Sequence, residues 1–192
     1  MAGKFEQADG QRGRRWRIAG WGTAALLLLL PLLAMQLTNE VDWDGPDFFL
    51  FGVMLAVAGG MVELAARTTR NAFYRAGACV AVASCFLLLW VNLAVGILGS
   101  ERNDANLMFA GVIAVALGGS IVAHFRSPGM ARTMVVAALA QALVGVIALA
   151  AGLASPGPDG VYEVVMGTSL FGGLWLLSAW LFRKAASQTA AA

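Results

Sequence analysis

The sequence predicts an all-α fold, a polytopic membrane bundle of six transmembrane helices, and three observations lead to it. Only 12% of the 192 residues are charged and 59% are hydrophobic, whereas a soluble domain carries about 25% charged residues. The mean hydropathy of +0.75 agrees, so most of this chain has lipid for its solvent. The apolar residues gather into six stretches, each close to the roughly 20 residues that a helix needs to cross about 30 Å of hydrocarbon. The polar connections between those stretches alternate in the sign of their charge.

Residues 1–17 form a basic tail carrying Lys4, Arg12, Arg14, Arg15 and Arg17. The first span follows at 18–37. A basic segment ahead of the leucine run at 26–30 can also open a signal peptide, but no small-x-small cleavage site follows it. The adjacent Arg14 and Arg15 read as anchoring charge rather than as a twin-arginine export signal. After an acidic loop comes the second span, 48–66. Arg67, Arg70 and Arg75 lead into the third, 76–98, and a polar turn with Ser100, Glu101, Arg102, Asn103, Asp104 and Asn106 leads into the fourth, 107–125. Arg126 and Arg132 precede the fifth, 134–154. The sixth covers 161–182, so the six-helix domain is 18–182 and a second tail, 183–192, opens with Arg183 and Lys184. This alanine-rich tail is expected to fray. Trp16, Trp21, Trp43 and Trp180 fall at or near span ends, where an indole is favoured at headgroup depth.

The charges fix an orientation. Twelve of the 13 Lys and Arg residues lie on one side of this zigzag, and Arg102 alone lies on the other. That other side holds Glu40, Asp42, Asp44, Asp47, Glu101, Asp104, Asp159 and Glu163. Short loops rich in Lys and Arg stay cytoplasmic, which predicts an inner-membrane protein of a bacterium with both termini in the cytoplasm. The charge is separated rather than uniformly basic, so nucleic acid is not an expected partner.

An internal repeat runs through the even spans. Gly52, Val53, Gly59, Gly60 and Arg67 recur 59 residues later as Gly111, Val112, Gly118, Gly119 and Arg126, and Gly167, Gly172, Gly173 and Arg183 keep the outline in the sixth span. Three parallel copies of a helical hairpin are the expected plan. Small residues four apart let helix backbones approach closely in lipid, and Ala56 with Gly60, Ala114 with Gly118, Thr168 with Gly172 and Ser169 with Gly173 have that spacing. Close packing at both Gly60 and Gly119 is the expectation.

Few residues carry chemistry. Glu63 is an acidic residue inside a span, and an intramembrane carboxylate is a functional candidate; Arg67 follows at i+4 and offers an ion pair. Asn92 and Gln141 are the strongly polar residues well inside spans. With Glu63 they make a candidate polar path for a solute or proton, and otherwise they serve as hydrogen bonds between helices. The polar turn after the third span and the acidic first loop offer oxygen atoms to a cation, but neither has the spacing of a calcium loop. His124, Arg126 and Arg132 are candidate contacts for a lipid headgroup. A single histidine excludes a bis-histidine haem within one chain and leaves a zinc site short of ligands. Cys79 and Cys85 share one apolar span and read as buried small hydrophobes. No catalytic motif or cofactor site is expected.

The segment LLWVNLAVGILGSERNDANLMF at 88–109, GMAR at 129–132 and AQALVGVIALAAG at 140–152 resemble small uncharacterised six-span inner-membrane proteins of Gram-negative bacteria. The architecture is also similar to that of the acid-resistance membrane proteins, whose six spans form three hairpins. The resemblance implies the six-span fold and no particular activity. The function expected is that of a non-enzymatic accessory or scaffold protein with the lipid bilayer, itself or a larger membrane complex as partners; the alternative is a small-solute or proton transporter or channel. A reporter fused after Ala192 is expected on the cytoplasmic side and one inserted near Asp44 on the periplasmic side, as read by paired alkaline phosphatase and fluorescent-protein fusions.

Overall fold

The computed structural model describes residues 2–38, 41–99, 103–157 and 159–190. Among them are six α-helices and no strand: α1 (Ala2–Leu37), α2 (Gly45–Thr68), α3 (Ala72–Ala94), α4 (Leu107–Val122), α5 (Ser127–Ala150) and α6 (Asp159–Ala190). Each contains, or with its capping turn forms, a stretch long and apolar enough to cross a membrane. The chain is an all-α polytopic membrane protein. It divides into two compact units, Met1–Leu64 and Ala65–Ala192.

In the first unit, α2 opens on a reciprocal cap. The Asp47 amide donates to Asp44 Oδ1 at 3.0 Å, and the Asp44 amide donates to Asp47 Oδ2 at 3.1 Å. Two of the amides that a helix start leaves unpaired are thereby satisfied, and Pro46 in the first turn has no amide to satisfy. Trp43 packs edge-on against Phe48 and Phe51 with centroids 5.3 and 5.4 Å away. Further along, the Trp21 ring of α1 lies over Gly59, where an added side-chain carbon would meet it at 3.4 Å, and Leu28 approaches Gly52. Pro31 sits inside α1 and deprives one carbonyl of its helical partner. Ile18, Leu26, Leu30, Leu33, Phe49 and Leu64 are exposed, an arrangement suited to hydrocarbon and costly in water.

In the second unit α5 packs against both α4 and α6, and α6 also packs against α3. Small residues make this possible: Ala131, Ala137, Ala138, Gly145 and Ala148 of α5 are buried. A carbon added at Gly145 would lie 2.8 Å from Thr168 Cγ2, and one at Gly119 would lie 2.6 Å from Thr133 Cγ2. Between α3 and α6, Gly77 admits Leu181 and Phe182, and Ser178 Oγ donates to the Gly77 carbonyl at 2.9 Å. Trp175, Phe109, Phe182, Leu88 and Met134 fill the core of this unit.

Several helix ends differ from the apolar spans. The third stretch stays apolar to Leu98, yet α3 stops at Ala94, and Gly96 and Gly99 follow in the left-handed region at φ 76° and 77°. Ile97 and Leu98 are buried in the turn because Asn106 Oδ1 accepts both of their amides, at 3.0 and 2.9 Å. Helix α5 begins at Ser127, well before residue 134, with Pro128 in its first turn. The C-terminal tail, expected to fray, is helical as far as Ala190. Ala185 is fully buried, and Asn71 Nδ2 donates to Gln188 Oε1 at 3.2 Å, so this stretch packs against the start of α3.

The repeat does not carry through to packing. In α2 the residues turned inward are Phe51, Gly52, Leu55, Gly59 and Glu63, which are buried or half-buried. Their counterparts 59 residues on, Ala110, Gly111, Ala114, Gly118 and Val122, are all exposed on α4. The inward residues of α4, Phe109, Val112, Ala116, Gly119 and Ser120, correspond to Leu50, Val53, Val57, Gly60 and Met61, all exposed on α2. Nothing lies within 4 Å of a carbon added at Gly60, Gly118, Gly172 or Gly173. Among the described residues close packing therefore occurs at Gly119, and within its own unit Gly60 has no such neighbour. Gly145→Ala is expected to lose about 1–3 kcal/mol by overpacking Thr168. Gly119→Leu should also lower the thermal midpoint in detergent, while Gly60→Leu leaves it unchanged.

Candidate functional site

The polar groups inside the helices are the candidates, and each unit holds its own. In the first unit Arg17 Nε lies 2.7 Å from Glu63 Oε1 and Trp21 Nε1 donates to Glu63 Oε2 at 3.1 Å. Arg17 and Trp21 are one turn apart on α1, and Gly59, one turn before Glu63, lets the indole lie flat enough to reach the carboxylate. The sequence pointed to Arg67 at i+4; the cross-helix partners Arg17 and Trp21 are an additional link that local spacing does not reveal. With the Arg17 side chain 60% exposed, the ion pair contributes at most about 1 kcal/mol.

In the second unit Asn92 Nδ2 donates to the Leu88 carbonyl of its own helix at 2.7 Å, not to a neighbouring helix. Its Oδ1 is buried without a partner among the described residues. Asn92 borders a cleft of about 220 Å³ with Asn103, Asp104, Asn106, Leu107 and Phe109, between α3 and the start of α4. The amides in that polar turn are occupied by backbone: Asn103 Nδ2 donates to the Leu98 carbonyl at 2.9 Å and its Oδ1 accepts from the Ala105 amide at 3.0 Å. They close the turn, which weakens the reading of an open cation mouth. Ser100, Glu101 and Arg102 of that turn lie outside the described residues, as do Asn39 and Glu40 of the acidic loop.

Gln141 is fully buried on α5, and neither its amide nitrogen nor its amide oxygen has a partner among the described residues. It does not line the Asn92 cleft. One turn further along α5, Gly145 meets Thr168 of α6. The two helices follow one another through a short turn and so run antiparallel, and at 1.5 Å per residue Gln141 lies between the depths of Thr168 and Trp175. Thr168 Oγ1 and Trp175 Nε1 are also buried without a partner. Among the described residues three buried side chains on α5 and α6 thus hold unpaired hydrogen-bonding groups at similar depth. The sequence singled out Gln141; Thr168 and Trp175 escaped because a threonine and a tryptophan are ordinary in a span.

At the other end of α4, His124 and Phe125 both adopt the left-handed conformation, φ 49° and 55°, and turn the chain into α5. His124 Nδ1 is 2.9 Å from the Val122 carbonyl, and Tyr74 Oη donates to the Phe125 carbonyl at 2.7 Å. Arg126 occupies the cap position of α5. Arg132 faces a groove that it shares with Arg183 of α6, and neither His124 nor Arg126 borders it. Among the described residues no three His, Cys, Asp or Glu side chains come together as metal ligands.

Comparison with family models, curated proteins and solved structures finds no match. An unpaired buried amide costs more than an apolar side chain of the same shape. Gln141→Met is therefore expected to hold or raise the thermal midpoint in detergent; a fall of several degrees would mean that the amide has a partner in the membrane.

Proposed function

We propose that the chain is a non-enzymatic accessory or scaffold protein of a bacterial inner membrane, with both termini in the cytoplasm. The orientation rests on the sorting of Lys and Arg to one side of the spans, and the resemblance to small six-span inner-membrane proteins favours the same membrane. The observation that carries the scaffold reading is the separation of Asn92 from Gln141 within the second unit. A conducting path needs its polar side chains along one water-filled route. Within the second unit Asn92 donates to its own helix, and Gln141 is sealed in the core and does not line the Asn92 cleft; within the first, Glu63 is engaged by Arg17 and Trp21. Apolar side chains cover the outer faces of α1 and α2, a surface that suits lipid and helices of a larger complex or a second copy.

A transporter or channel is the second reading, favoured by the Gln141, Thr168 and Trp175 groups of α5 and α6, which are unpaired among the described residues. Native mass spectrometry of the protein gently extracted from its host separates the two. Stoichiometric co-purifying subunits are the expected result. A lone chain or homo-oligomer, together with solute or proton flux in vesicles that Gln141→Met abolishes, would overturn the scaffold reading.

A further inference from the structure

We propose that the groove between the start of α5 and the end of α6 binds one anionic phospholipid of the adjoining leaflet. The groove measures about 530 Å³, and Pro128, Arg132, Val135 and Val136 of α5 line it with Arg183 and Ala186 of α6. Both guanidinium groups belong to exposed residues, and neither has an acidic partner among the described residues. They converge from two helices on one space, and an arginine fork matches a phosphate ester.

The groove is polarised in the direction that a lipid needs. Val135 and Val136 lie one turn deeper along α5 than Arg132, so an apolar floor begins where the charged mouth ends. The mouth also lies near the N-terminal end of α5, the positive end of the helix dipole. Headgroup depth is marked independently by Trp180, half exposed one turn before Arg183, with Lys184 Nζ 5.9 Å from the centre of its ring. A zwitterionic lipid would bring its own ammonium group toward two arginines, and an anionic lipid brings none. The inference needs the membrane fold alone and stands whether or not the scaffold reading holds.

The test is native mass spectrometry of the full-length chain, delipidated in detergent and offered equal amounts of phosphatidylglycerol and phosphatidylcholine with matched acyl chains. One bound phosphatidylglycerol is expected, preferred on the order of tenfold, from two basic side chains near the headgroups. Arg132→Gln with Arg183→Gln should abolish that preference, while Arg67→Gln with Arg70→Gln, which removes the same charge elsewhere, should keep it. Val136→Trp fills the floor without touching either charge and should lower occupancy by both lipids; circular dichroism checks that each variant is folded. Equal binding of the two lipids by the unaltered chain would overturn the site, as would a preference that survives the Arg132 and Arg183 changes. An equal loss in the Arg67 and Arg70 variant would reduce the effect to bulk charge and overturn it as well.

Discussion

Helices in lipid gain no hydrophobic energy by touching one another, so their association leans on dense van der Waals contact where backbones come close, with hydrogen bonds between helices beside it. The second unit depends on that constraint. Helix α5 can be flanked by α4 and α6 because Gly119 accepts Thr133 and Gly145 accepts Thr168, and its own buried face includes Ala131, Ala137, Ala138 and Ala148. The same rule brings α6 to α3: the missing side chain of Gly77 lets Phe182 lie close on it while Ser178 reaches its carbonyl. The polar contact there is a consequence of the close approach, not its cause.

A second constraint governs the polar residues. Backbone groups freed at helix ends must find partners when water is scarce, and most side-chain amides and hydroxyls near the spans are used for this. Asn106 takes the amides of Ile97 and Leu98, and Asn103 takes that of Ala105. Asp44 and Asp47 cap α2. Ser84, Asn92 and Ser120 bond back to carbonyls one turn earlier in their own helices, which satisfies them without linking helices. Counting polar residues in the sequence therefore overstates the number free to bind a ligand. Against that background Gln141, Thr168 and Trp175 stand apart, as do Arg132 and Arg183, whose charges meet no acid within the chain among the described residues.

The six spans were legible because length and apolar content decide whether a segment can cross a bilayer, and both are local properties. Their ends were not. Ile97 and Leu98 are as apolar as any span residue, and what removes them from α3 is Asn106, which reaches back across the turn. The start of α5 was readable in principle from Ser127 and Pro128, since proline favours a first helical turn, but the hydropathy of the following residues drew attention past it. Glu63 was visible as a candidate and its partners on α1 were not, because Arg17 and Trp21 are neighbours only after two helices have packed. The groove was half visible for the same reason. Arg132 read as a headgroup contact; Arg183 joined it only through the antiparallel run of α5 and α6.

The glycine repeat shows most clearly how sequence register and packing part company. The inward face of α2 centres near Leu55, whereas the inward face of α4, transferred back by 59 residues, centres near Val57. Two residues correspond to about 200° of rotation about a helix axis, so the matching helices present opposite faces to their own neighbours. Gly59 is used against Trp21 while its counterpart Gly118 meets nothing, and Gly119 is used against Thr133 while its counterpart Gly60 meets nothing. A Gly-Gly pair makes such a reversal cheap: adjacent positions are about 100° apart, so one of the two glycines can face inward in either setting. The doublet therefore identifies a helix that can be approached closely, but it does not determine from which side.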